Sequence, residues 1–158
     1  MNWSELCRDK NLQDLPYKIE LNKEGKIVMS PTRNRHGYLA GKITRLLGQL
    51  MKEGEVLVEL AVETSDGTRV ADVAWVTAAT FATIKDEPSC SVAPEICVEV
   101  QSPVNSDQEL TRKLNLYLLA GAKEGWICRD DGQMQFFNAT GQIGRSGLCP
   151  GFPVRLPV

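Results

Sequence analysis

The stretch Ala93–Pro103, APEICVEVQSP, limits the possible folds more than any other part of this chain. Ile96, Val98 and Val100 alternate with Glu95, Cys97, Glu99 and Gln101, which is the two-residue period of a β-strand. With Val92 and Cys97 added, the segment is too apolar for a surface strand, so it belongs in a sheet covered on both faces. A carboxylate near the end of such a strand costs on the order of several kcal/mol unless something pairs with it. Glu99 therefore needs a partner.

The rest of the chain supplies a sheet and its covering. Trp3 to Lys10 reads as a short helix capped by Asn2 or Ser4. YKIEL and KIVMS flank the turn NKEG as a hairpin that Pro31 ends. Arg33 to Met51 reads as a helix with Leu39, Ile43, Leu46, Leu47 and Leu50 in one stripe. EGEVLVELAVET and RVADVAWV are strands either side of SDGT, and TAATFATIK is a short helix over a loop. After the Ala93–Pro103 strand, Ser106 to Ala120 is a helix opened by the capping box Ser106/Glu109 and stopped by Gly121. EGWICRD and QMQFFNA are the last strands, and the Gly/Pro-rich tail covers an edge. The order α-ββ-α-βββ-α-ββ predicts an α/β (α+β) domain spanning 1–158, a mixed sheet packed by helices.

Composition removes several classes. No run nears the roughly 18 apolar residues of a membrane span, and the N-terminus lacks the pattern of a secretory signal. Five scattered cysteines without a C-x-x-C pair, and a single histidine, do not make a usual zinc site; they read as reduced thiols of a cytoplasmic protein. The net charge of −2 argues against a broad non-specific nucleic-acid surface and leaves room for a local basic groove.

Three residues break the apolar pattern where it is strongest. Asp72 shares a strand face with Val70, Ala74 and Val76. Glu99 lies at the strand end where open sheets carry their chemistry. Lys113 sits among Leu110, Leu114, Leu116, Tyr117 and Leu118, outside the polar wedge of Thr111, Arg112 and Asn115. Two carboxylates suit a hard cation such as Mg2+ or Mn2+, which polarises a phosphodiester, and a lysine can offset charge on the phosphate. The alternative is structural: Lys113 neutralises Glu99 as a buried ion pair. His36, beside Leu39 and Ile43, reads as a core or capping histidine, Trp75 and Trp126 as core, and Lys42 and Arg45 as a solvated face or a weak phosphate-binding edge.

VADVAWV, APEICVEVQSP, KLNLY and GAKEGWIC together resemble the PD-(D/E)XK nuclease superfamily, and more narrowly its bacterial putative restriction endonuclease family. YKIELNKEGKIVMSPTRNRHG resembles that family's opening hairpin and helix, so the likeness covers most of the chain. It implies a restriction-endonuclease-like sheet flanked by helices and a metal-dependent endonuclease hydrolysing DNA. It further implies that Asp72 and Glu99 bind Mg2+ or Mn2+, with Lys113 replacing from the helix the lysine usually found two residues after the glutamate. Gln101 holds that position here and is expected to support the site with Tyr117; a phosphate-contact or active-site role for His36 follows from the same likeness. Ala71 stands where the motif has proline, and Gly125 where it has an aromatic residue, which points to a change in packing. Two rivals remain: a non-catalytic nucleic-acid-binding or protein-interaction module, and a hydrolase of smaller phosphate esters. Two further expectations are a homodimer built on GFPVRLPV and QMQFFNA, and a metal-free site strained by two like charges.

Overall fold

A computed structural model describes residues 1–158. Helix α1 (Trp3–Arg8) opens on the Asn2/Glu5 capping box and runs into a 3-10 turn at Lys10–Leu12. Strands β1 (Tyr17–Leu21) and β2 (Ile27–Pro31) form their own two-stranded antiparallel sheet. After α2 (Asn34–Leu50), strands β3 (Glu55–Thr64) and β4 (Gly67–Val76) make a long hairpin. Gly67 holds the turn with a φ of +78°, and a Cβ there would lie 2.2 Å from the Leu21 carbonyl, so the β1–β2 hairpin can sit close to it. Then follow α3 (Ala78–Ile84), β5 (Ile96–Val100), α4 (Asp107–Leu119), β6 (Glu124–Cys128), β7 (Met134–Asn138) and β8 (Gly141–Ile143).

The six strands β3 to β8 lie in chain order in one sheet. All neighbours are antiparallel except β5 and β6, which α4 connects as a parallel crossover. β5 is central and buried at every residue. Its two apolar faces are explained by two coverings. Ile96, Val98 and Val100 join Leu39, Ile43 and Leu47 of α2 in the larger core, while Cys97 packs with Leu110, Leu114 and Tyr117 of α4. Glu99 shares the Cys97 face and so looks toward α4. Gly125 has a packing role, as the sequence suggests: a Cβ there would come 2.8 Å from Leu114 Cδ2, so its absence lets α4 lie close on β6.

Most of the element order follows the sequence reading, with three differences. β8 is an extra edge strand, paired to β7 over Asn138↔Gly141 to Phe136↔Ile143. Leu50, assigned to the buried stripe of α2, is 46% exposed at the helix's last residue, where the chain leaves for β3. The tail does cover an edge, bonding Met134 N–H to the Val154 carbonyl and Leu156 N–H to that of Gly132. Its Phe152 and Leu156, and Met134 and Phe136 of β7, are buried in the chain's own core, so of the apolar surface the sequence suggests for a dimer the tail leaves Val154 and Val158 exposed. All five cysteines are free, four of them buried, and no helix is long and apolar enough to cross a membrane.

Candidate active site

β4 and β5 bring the two acids together. Their pairing runs Trp75↔Ile96, Ala74↔Cys97, Val73↔Val98, and stops one step short of Asp72 and Glu99. The strands part where two carboxylates would otherwise face each other directly. Both are almost wholly enclosed, at 1% and 3% exposure.

A single ammonium joins them. Lys18 Nζ, from β1, lies 2.8 Å from Asp72 Oδ1 and 3.3 Å from Glu99 Oε2. The other Asp72 oxygen accepts the Val100 backbone N–H at 2.7 Å and lies 3.2 Å from His36 Nε2. The other Glu99 oxygen accepts the Tyr117 hydroxyl at 2.7 Å and lies 3.2 Å from Lys113 Nζ. Lys113 in turn bonds Glu20 Oε2 at 2.8 Å, and that oxygen also accepts the Val70 N–H at 2.7 Å. Three acids face two lysines here, and a protonated His36 would supply the missing positive charge.

The two carboxyls titrate in opposite directions. Burial pushes Asp72 up, but the Lys18 charge and the His36 hydrogen bond outweigh it and hold the carboxyl well below its usual range. For Glu99 burial wins: Lys113 and Lys18 offset only part of it, and its pKa rises to about 7. The Asp72 hydrogen bond raises His36 above its ordinary 6.5, with burial opposing. Burial would lower Lys18, yet Glu99, Asp72 and Glu20 raise it well above 10.5. The expected strain of two bare like charges is therefore largely absent, because Lys18 lies between them; what remains falls on Glu99.

Lys18, Glu20, His36, Asp72, Glu99 and Lys113 line a cavity of about 400 Å³ that also receives Arg69, Arg112, Ser30 and Thr32, with Tyr117 buried behind Glu99. Asp72, Glu99, Lys113, Tyr117 and His36, all nominated from the sequence, meet here. Gln101 does not join them. Its side-chain oxygen accepts the Asp130 N–H at 3.2 Å, and it lines a neighbouring pocket with Arg33 and Arg35. The expected support from Gln101 is not seen, because the chain turns toward Asp130 just after β5.

Lys18 and Glu20 were missed. In YKIEL the apolar residues alternate with them, which reads as a strand with its polar face in water. The burial does not follow that alternation: Tyr17 is 45% exposed, while Glu20 at 5% and Leu21 at 3% are both buried. The sequence carries one signal for this, a Lys and a Glu two apart on a strand before a likeness-bearing helix, and that pattern is common on surfaces.

The donor set bears on which cation would fit. No cluster of three or more acid, histidine or cysteine side chains is arranged to cage a metal ion. Two carboxylates meeting on one cationic point suit Mg2+ or Mn2+ instead, since Mg2+ is commonly held by one or two carboxylates with water and substrate phosphate completing the shell.

A family profile described as "Uma2: Putative restriction endonuclease" matches residues 6–146. No curated protein matches the chain. Among solved structures, the crystal structure of a putative nuclease belonging to DUF820 from Anabaena variabilis ATCC 29413 is similar, with a TM-score of 0.73 at 14% identity. The alignment covers 98% of this chain and 94% of that one, and at this identity it shows a shared fold. The family match spans most of the chain, which thus belongs to the Uma2 family of putative restriction endonucleases.

Proposed function

We propose that this protein is a metal-dependent nuclease that hydrolyses DNA phosphodiester bonds, with Asp72 and Glu99 as its ligands for Mg2+ or Mn2+. One observation carries the reading: the two acids, from different strands, meet on the same cationic point, with the Lys113 ammonium 3.2 Å from Glu99. When bound, the cation would polarise the phosphate and lower the pKa of a water. The chain's own groups do the rest. Lys113 carries positive charge beside the acids, where it can offset charge developing on a phosphate oxygen. Tyr117 fixes the Glu99 carboxylate from a wholly buried position, and His36 with the Val100 N–H fixes that of Asp72. Arg69 and Arg112, which share Asp66 as an ion-pair partner, line the same cavity and suit an anionic backbone.

Cutting both strands of a duplex calls for two sites, which a two-fold dimer supplies. The five free cysteines fit a reducing cytoplasm. A second reading also has an observation behind it: Lys18 and Lys113 already neutralise the acids, as an ion-paired interaction module would require. Plasmid cleavage with Mn2+ separates the two. Wild type should nick or linearise the plasmid and Glu99→Gln should not; equal, metal-independent behaviour of both proteins supports the module instead.

A further inference from the structure

The Lys18 ammonium stands where the two acids converge, and on the reading above that is the place of the divalent cation. We propose that Lys18 is an internal competitor for the metal: loading requires its withdrawal, and the residue sets both metal affinity and the resting state of the site. Four observations support this. Lys18 contacts one oxygen of each acid, while Tyr117, His36 and the Val100 N–H hold the other two oxygens, so removing Lys18 frees one oxygen per acid on the same side. Its side chain is only 7% exposed, so it is no mobile surface lysine that happens to lie nearby. It comes from β1, whose only strand partner is β2; this hairpin packs against β4 without joining the six-stranded ladder and is tied to it through side chains such as Glu20, so a shift would cost the Glu20 bond to the Val70 N–H and leave the ladder's own hydrogen bonds intact. Glu59, across from Asp72 between the pairs Val58↔Val73 and Leu60↔Ala71, has a left-handed φ of 50° in mid-strand and gives a displaced ammonium another carboxylate to face.

Competition has a simple arithmetic. If Lys18 stands clear of the acids about one-tenth of the time, the apparent metal affinity is weaker by about tenfold than that of the open site. Calorimetric titration of the full metal-free chain with Mn2+ tests this without any activity readout. Lys18→Met should bind Mn2+ about tenfold or more tightly than wild type. Arg69→Met, which removes a positive charge lining the same cavity without touching either acid, should change affinity by about twofold at most. Lys18→Arg, with a fork that can hold both carboxylates, should bind more weakly than wild type, and it decides the matter if Lys18→Met does not fold. Equal or weaker binding by Lys18→Met, a gain in Arg69→Met as large as its own, or unchanged or tighter binding by Lys18→Arg overturns the competitor role and leaves the metal reading standing. No binding by wild type or any variant overturns both.

Discussion

Glu99 and Glu124 are two buried glutamates on neighbouring parallel strands, and they are satisfied in opposite ways. Glu124, at the start of β6, takes the Trp126 indole N–H at 2.8 Å, the Ser146 hydroxyl at 2.6 Å, and the Gly147 and Leu148 backbone N–H groups at 2.7 and 2.9 Å. Every donor is neutral, and two belong to the backbone of a loop. Glu99 takes one neutral donor, Tyr117, and two ammonium groups on flexible stems. Neutral fixed donors close a carboxylate into the structure, leaving nothing to exchange. Balance by movable cations keeps it available. A buried acid of the second kind is a candidate for chemistry, and one of the first kind is a staple.

The largest expected effect separates the two in function. Glu99→Gln should lower Mn2+-dependent DNA cleavage by about 10³-fold, close to 4 kcal/mol of barrier, measured under single-turnover conditions. Glu124→Gln should leave cleavage per folded molecule near the wild-type value.

The next effect reverses the order. Glu124→Gln turns an amide NH2 toward groups that all donate, and should lower unfolding free energy by about 3 kcal/mol in urea titrations. Glu99→Gln should be neutral or stabilising near pH 8, because its carboxyl is the one that burial strains. A greater stability loss for Glu99→Gln than for Glu124→Gln would erase the distinction.

Tyr117→Phe sharpens it further. Removing the hydroxyl leaves Glu99 short of its only neutral donor and should cost about 2 kcal/mol of stability. As a positioning residue it should also move the pH profile of cleavage, an effect that packing alone would not produce.

The smallest effect is a drift of stability with pH. Glu99 has its pKa raised from 4.5 to about 7, so between those values the folded state holds a proton that the unfolded state has lost, and stability falls as pH rises. The raised His36 works in the same direction: its contribution is fully present below 6.5 and is lost as pH rises through its folded value. Asp72 is depressed, so its contribution is present above 3.8 and fades only as pH falls through its lower folded value. The metal-free protein should therefore be more stable near pH 5 than near pH 8. Glu99→Gln should flatten most of that slope, and an unchanged slope would remove Glu99 from the explanation.

The sequence carries the sheet and half of the site. The apolar faces of β5, the Ser106/Glu109 capping box of α4 and the buried arc around Lys113 are local patterns, and local patterns survive folding. Asp72 and Glu99 stood out because each interrupts an apolar strand. Lys18 and Glu20 interrupt nothing: their strand alternates as a surface strand does, and what buries them is the packing of β1 against β4, some fifty residues on. Gln101 shows the reverse error. Its position relative to Glu99 matches a motif, and its N–H still makes the last bond to β6 at the Cys128 carbonyl, but its side chain accepts the Asp130 N–H outside the site. Strand spacing foretells direction only while the strand lasts.

The central claim is that Asp72 and Glu99 share a divalent cation. Thermal melts of wild type and Asp72→Asn, each with and without Mn2+, test it most directly. The account predicts that Asp72→Asn loses about 2 kcal/mol without metal, as Lys18 and His36 lose their partner. Mn2+ at a hundredfold excess over its dissociation constant should stabilise wild type by about 2.7 kcal/mol and leave Asp72→Asn unmoved. A wild-type melt indifferent to Mn2+, beside the same loss in Asp72→Asn, would contradict the claim and leave Asp72, Glu99 and their lysines as a buried ion-pair network.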